Sequence, residues 1–415
     1  MPDPIRVLYL DHTAKLSGGE IALLRLLQAL DRAKVEPIVL LGEDGPLVPK
    51  MREAGIETHV VELDPDVREI RKGTLSAAGI RHLLRLPRLL NYSRRVARFA
   101  SDREADLIHT NSLKSDIYGV LAARMARVPV VWHVHDILSP PYLPNAAAVV
   151  FRNLAGRLPD HVIVNSHSTL ESLRRDRVQS TTVVYNGVEM NLPTRGKARG
   201  RGADEVSGRG PVVGIVGRIA PWKGQDVFLQ AAEIVLKRGY PARFWIIGSA
   251  LFGEAEFEQK LRQMAEGPDL QDSVSFLGFR EDIQDVLQQI DILVHASTVP
   301  EPFGQVIIEG MAAGLPVIAS DAGGPQEIIT HGLNGFLTPP GDAKALAEAI
   351  IELLENQERA AAIAEAGRDH VAQHFSVRAS AEKVERIYRD IITNRSHRSG
   401  ARGRRSAGKN SDRPQ

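Results

Sequence analysis

The stretch EPFGQVIIE, from Glu301 to Glu309, holds two carboxylates with seven residues between them and a Pro-Phe-Gly turn after the first. The run before it, DILVHAS, reads as a buried strand, and FGQVIIEGMAAG carries Val306, Ile307, Met311 and Ala312 at helical spacing. Glu301 is therefore expected at a strand-to-helix mouth. Phe303, Gly304 and Gln305 are expected at a helix N-terminus, where backbone N–H groups lack intrahelical partners and suit hydroxyls or phosphate oxygens. Glu309 falls further along the helix, where a carboxylate can accept both hydrogen bonds of a vicinal diol such as a ribose. If that helix packs inward, an unpaired Glu309 costs several kcal/mol, so a partner is expected. On a solvated face it is an ordinary surface acid.

A second cluster is cationic. GIVGRIAPWKGQD, Gly214 to Asp226, follows a strand and opens onto a helix, with Arg218 and Lys223 five positions apart. Two cations converging at a strand end neutralise a diphosphate, Arg as a fork and Lys as a point charge, and stabilise it as a leaving group. Two solvated surface cations are the bland alternative, which the flanking Gly217 and Gly224 make the weaker one. SGGE, Ser17 to Glu20, links the first strand to the first helix. Gly18 and Gly19 let backbone N–H groups approach a phosphate there, or form a plain tight turn. The sequence around them is neither Gly-x-Gly-x-x-Gly nor a Walker loop.

VVWHVHDIL, Val130 to Leu138, ends an apolar strand with His133 and His135, read as projecting to opposite faces. His135, beside Asp136, suits a sugar hydroxyl or carbonyl; a packed histidine is the competing reading for both rings. Two histidines so spaced lack an obvious third ligand, so no metal site is expected. SDAGGPQEII, Ser320 to Ile329, is another strand-to-helix glycine turn, with Gly323 and Gly324 expected to line a cleft and Glu327 to cap the helix.

These side chains must be positioned by something. The chain has 415 residues, 43% hydrophobic and 25% charged, with net charge +1 and no cysteine. Two or three domains fit that length. The neutral body argues against nucleic acid as partner, and the lack of cysteine removes disulfides, thiolate metal sites and cysteine nucleophiles. MPDPIRVLYLDH does not read as a signal peptide, and no stretch is apolar for long enough to span a bilayer, so a cytoplasmic protein is the default expectation.

Short β-branched runs alternate with helical patterns throughout, which predicts parallel sheets covered on both faces. The alternation breaks at residues 191–210, rich in Gly and Arg and read as a linker, and then restarts. The expected organisation is a Rossmann-like domain over 1–190, the linker, a second such domain over 211–375, a helix over 376–393 and a disordered basic tail over 394–415. Ligands of open α/β sheets bind at strand C-terminal ends, so two such edges facing each other would form a central cleft suited to a donor and an acceptor. The segment Arg68–Arg98 mixes leucines with basic residues. It reads as a crossover helix with a solvated basic face, the alternative being peripheral contact with an anionic membrane at its inner face.

Taken together, the motifs resemble family 4 of the retaining glycosyltransferases, which have the GT-B fold. EPFGQVIIE is similar to that family's E-x7-E motif, and VGRIAPWKG to its phosphate loop. SGGE, HVHD, VIVNSHSTLESL and VVYNGVE fit as well, so the likeness runs from about Ile5 to Thr393. The resemblance implies that Glu301 faces the reacting centre of the donor sugar and Glu309 holds the ribose. Arg218 and Lys223 would bind the diphosphate, Gly18 and Gly19 would support it, and His135 would touch the transferred sugar. Phe303, Gly304 and Gln305 would dock sugar hydroxyls through backbone N–H groups, and the base would lie near Phe279 and Arg280. Pro302 departs from the small residue common in the family, stiffens the turn and removes a donor.

The implied activity is metal-independent transfer of a sugar, of hexosyl type, from a nucleotide diphosphate sugar to an acceptor glycan, lipid or small molecule. No cofactor is implied. An epimerase or phosphorylase on the same architecture, a non-catalytic sugar-nucleotide-binding subunit, and nucleic-acid binding through the basic tail are the alternatives.

Overall fold

The computed structural model describes residues 3–65, 86–140, 142–173, 180–190, 210–251 and 253–407, with backbone alone at 396 and 398–407. Two compact units emerge: residues 1–186 together with 377–415, and residues 187–376. Most of the expected linker, residues 191–209, and most of the Arg68–Arg98 segment, residues 68–85, lie outside the described residues.

In the first unit, seven strands form one parallel sheet. They are β1 (Ile5–Asp11), β2 (Val35–Leu41), β3 (Glu57–Val60), β4 (Leu107–Thr110), β5 (Val130–Val134), β6 (His161–Val164) and β7 (Thr181–Val183). Their spatial order is β3-β2-β1-β4-β5-β6-β7. The helices are α1 (Gly18–Ala29), α2 (Leu47–Glu53), α3 (Leu86–Asp102), α4 (Leu113–Ala126), α5 (Asn145–Ala155) and α6 (His167–Ser172). Alternation along β1 explains the two covered faces. Val7 and Tyr9 join the core formed with α1 and α2, whereas Leu8 and Leu10 join the core formed with α3, α4 and α5. The described part of the basic segment is thus a crossover helix: α3 buries Tyr92, Val96, Ala97 and Ala100 and turns its arginines outward.

The second unit carries a parallel six-stranded sheet in the order β10-β9-β8-β11-β12-β13. Its strands are β8 (Val212–Val216), β9 (Arg243–Ile247), β10 (Val274–Gly278), β11 (Ile292–His295), β12 (Val317–Ser320) and β13 (Phe336–Thr338). The helices are α7 (Gln225–Lys237), α8 (Ala255–Ala265), α9 (Ile283–Leu287), α10 (Gln305–Ala312), α11 (Pro325–Ile328), α12 (Ala343–Glu355) and α13 (Gln357–His374). One face packs around Phe228 and Phe244, whose ring centroids lie 5.7 Å apart. On the other face α10 lies close over β11: a Cβ on Gly310 would meet the Leu293 side chain at 2.2 Å.

The last helix, α14 (Val377–Ala407), belongs to the first unit. Ala381, Val384, Ile387 and Tyr388 enter the core beside α1, and buried Glu385 accepts from Asp31 N at 2.9 Å and Lys34 Nζ at 3.1 Å. The helix continues past Thr393, where the sequence suggested a disordered tail, as far as Ala407. Once nucleated a helix extends at little cost, and arginine is a good helix former. Residues 408–415 lie outside the described residues.

Candidate functional site

Each sheet has one switch point, where crossovers before it run one way and those after it run the other. It falls between β1 and β4 in the first unit and between β8 and β11 in the second. At a switch point the loops part and leave a crevice at the strand C-termini. The residues singled out from the sequence sit on these edges.

In the second unit the cationic loop leaves β8. A short 3-10 turn, Pro221–Lys223, precedes α7. The Arg218 guanidinium stacks over the Trp222 ring, 4.9 Å from its centroid, while buried Gln225 donates to the Arg218 carbonyl at 3.0 Å. Lys223 does not stand alone: its ammonium pairs with the Glu301 carboxylate. Glu301 is buried, and its other partners are the Ser297 hydroxyl and His295, whose Nε2 lies 3.2 Å from Oε2. Burial by itself would raise the Glu301 pKa; Lys223 and His295 outweigh it and hold the carboxyl well below its ordinary range. Arg218, Lys223 and Glu301 are thereby gathered at one edge.

The turn that carries Glu301 is built backbone on backbone. Gly324 N donates to Glu301 O at 2.8 Å, and Cβ atoms on Gly323 or Gly324 would fall 2.4 Å from Glu301 O and 2.3 Å from Phe303 Cα. Those two glycines brace the Glu301 loop. Gly304 caps α10, so the helix starts at Gln305, two residues later than its pattern suggested. The Phe303 ring is buried, 5.7 Å from that of Phe375. Both polar atoms of the Gln305 side chain are buried without a partner among the described residues. Glu309 is also buried, on the turn of α10 beside the β11 contact. Phe279 follows β10 with its ring half exposed, and Arg280 is forked onto Asp282, Nε to Oδ1 at 2.7 Å. Among the described residues, no three His, Asp or Glu side chains cluster as a metal site.

Gly224 is the glycine this loop cannot replace. Its φ is +70°, and a Cβ there would lie 1.9 Å from Ala296 O. Gly18, by contrast, has no described atom within 4 Å of an added Cβ. We expect Gly224→Ala to lower the stability of the second unit by about 3 kcal/mol or more and Gly18→Ala to change stability by less than about 0.5 kcal/mol, both read by thermal unfolding. Equal stability of the two variants would contradict this geometry.

In the first unit Gly18 and Gly19 begin α1 itself and do not form a separate loop. A Cβ on Gly19 would lie 3.9 Å from the His135 ring. His133 and His135 lie on the same side of the strand, ring centroids 4.1 Å apart, contrary to the opposite faces expected for them. Two steps along a strand return a side chain to its starting face. Burial pushes His135 down to about 4 and His133 well below its ordinary value. His133 Nδ1 lies 3.2 Å from His109 Nε2, and His109 Nδ1 lies 2.8 Å from Tyr388 Oη on α14.

Sequence reasoning missed several residues here. Asp11 ends β1, buried; His12 and Asn111 hydrogen-bond its carboxylate and hold its pKa below the ordinary value although burial opposes this. Glu20, buried beneath the Gly18–Gly19 turn, accepts from the Ser17 hydroxyl, and burial and Asp11 raise it to about 8. The signal for both was position: an acid at a strand end or in a helix's first turn. In the second unit the signal for His295 and Ser297, within DILVHAS, was the strand-end position alone.

Two doubly wound α/β units, each with a polar cluster at its switch point, define the class of protein that binds nucleotides or their sugar conjugates on strand edges. Residues 17–187 match the glycosyl transferase 4-like domain, and residues 201–370 match the glycosyl transferases group 1 family. The structure of Anabaena HepE solved with UDP-glucose is 31% identical and superposes with a TM-score of 0.79, over 93% of this chain and 100% of that one. The chain therefore belongs to the group 1 glycosyltransferases of the family 4 kind, sugar-transferring enzymes of GT-B fold.

The Mycobacterium leprae phosphatidyl-myo-inositol mannosyltransferase is 28% identical over 309 residues, 72% of this chain and 77% of the relative. A Corynebacterium urealyticum D-inositol 3-phosphate glycosyltransferase is 33% identical over 186 residues, 44% of this chain. That match spans 43% of the relative's length. Sucrose-phosphate synthase from Thermosynechococcus elongatus, 23% identical with a TM-score of 0.76 over 94% of this chain and 100% of that one, shares the fold. Among the described residues no helix is long and apolar enough to cross a membrane.

Proposed function

We propose that the protein transfers a sugar from a nucleotide diphosphate sugar to an acceptor hydroxyl, with retention at the anomeric carbon and without a metal ion. The observation that carries this reading is the grouping of Arg218, Lys223 and Glu301 at the β8/β11 switch point, with Glu309 on the helix that leaves it. Arg218 and Lys223 neutralise the diphosphate as the bond from anomeric carbon to oxygen breaks and the diphosphate takes the electron pair. The acceptor oxygen bonds the same face, and its proton passes to the departing diphosphate oxygen. Glu309 accepts the ribose hydroxyls, the base lies near Phe279 and Arg280, and the backbone N–H groups of Phe303, Gly304 and Gln305, at and just before the start of α10, dock the sugar. His135 and the Gly18–Gly19 turn serve the transferred sugar and the diphosphate. Anabaena HepE, solved with UDP-glucose, supports a uridine donor as the first to test.

A thermal-shift screen of UDP-, GDP- and ADP-sugars, with and without EDTA, tests the reading. A ligand bound to the native state raises its stability by about 2.7 kcal/mol at a hundred times Kd. One nucleotide sugar is expected to raise Tm equally in both conditions. A shift abolished by EDTA removes metal independence, and no shift with any donor removes the donor site. Retention is read from the anomeric coupling of the product by proton NMR.

A further inference from the structure

Asn111, at the end of β4 in the first unit, is 2% exposed, and its side chain touches three groups. Its side-chain Nδ2 donates to Asp11 Oδ2 at 2.8 Å and faces Gly19 O at 3.3 Å. Its Oδ1 lies 2.9 Å from His135 Nε2. The Asp11 carboxylate, held ionised by His12 and Asn111, and the Gly19 carbonyl can only accept, so the amide nitrogen must face them and the amide oxygen must face the ring. That oxygen also only accepts. Nε2 of His135 must therefore carry a proton.

We propose that Asn111 is a positioning residue that locks His135 in the Nε2–H tautomer, so that Nδ1 presents a bare lone pair and meets a substrate hydroxyl that donates to it. His135 Nδ1 is buried with no partner among the described residues, as this requires. The ring faces the side-chain-free surface of Gly19 on one side and the His133 ring on another. Asp136 and Asp11 are the acids that act on it, and burial keeps the ring neutral despite them. A neutral ring has one proton, and Asn111 has claimed it. His135 therefore selects for a hydroxyl at the position it meets and against a group that only accepts, such as an ether or carboxylate oxygen.

This inference rests on the proposed function for the identity of the hydroxyl as a sugar's, but not for the tautomer. Histidine-selective 15N NMR of the full-length protein at pH 7, with His135 assigned by loss of its signals in His135→Gln, reads the tautomer without any ligand. A protonated Nε2 and an unprotonated Nδ1 are expected; an Nδ1–H ring or a mixture overturns the proposal. Asn111→Leu, similar in volume, is expected to leave a tautomer mixture. It should weaken UDP-glucose about ten-fold in calorimetric titration while leaving UDP unchanged, because UDP lacks the hydroxyl concerned. Equal weakening of both ligands, or of neither, overturns the positioning role. If UDP-glucose fails to bind the wild type, the donor reading fails while the NMR result still decides the tautomer.

Discussion

Lys223→Ala is expected to lower turnover by about 10²–10³-fold, the usual loss when one charged or hydrogen-bonding group is withdrawn from a departing anion. The same substitution has a second effect that its place in a solvated loop would not suggest. Lys223 pairs with buried Glu301, so its removal leaves a carboxylate short of its main counter-charge. Breaking a buried pair from one side costs about 3–5 kcal/mol, and the partial exposure of Lys223 places this case at the low end of that range. The two effects separate in the double variant Lys223→Met/Glu301→Gln. Thermal stability should return toward wild type because no charge is stranded, whereas turnover should stay low. Recovery of turnover in the double variant would show that Lys223 acts on Glu301 alone and not on the diphosphate. Full turnover in Lys223→Ala would end its assignment to the leaving group.

Glu309→Ala is expected to weaken UDP and UDP-glucose alike, by roughly 30-fold, while turnover at saturating donor changes little. Hydrogen bonds to a charged group contribute about 1.5–3 kcal/mol, and 2 kcal/mol corresponds to about 30-fold in Kd. Alanine is the best helix former, so loss of α10 is not the expected cause. Calorimetric titration with both ligands checks this. A loss confined to UDP-glucose would move Glu309 from the ribose to the sugar, and unchanged affinity for both would remove it from the site.

The fold was legible in the sequence because parallel sheets announce themselves through runs such as IRVLYL and PVVGIVG, and helices through the apolar stripe of IALLRLLQAL. Strand order was not, since it depends on which runs pair across long separations. The positions of Arg218, Lys223 and Glu301 followed from their places just beyond strands, but the Lys223–Glu301 pair did not, because 78 residues separate the partners. That Gly323 and Gly324 brace the Glu301 loop was not legible either, because a glycine needed for close backbone approach reads the same whatever approaches it. Asn111 carries no motif at all. Its meaning arises only when β1, β4 and β5 set Asp11, Asn111 and His135 side by side.

The last helix also bears on how the polypeptide is made. Val384 and Tyr388 cover part of the core to which β1 contributes Val7 and Tyr9, yet they are translated after every strand of both sheets. While the ribosome is still working, the second sheet can acquire all its own strands and helices, but the earlier one keeps an apolar flank uncovered until the last helix has been translated. A nascent chain stalled before Val377 would therefore hold every strand of both lobes but an earlier lobe with that apolar flank still bare.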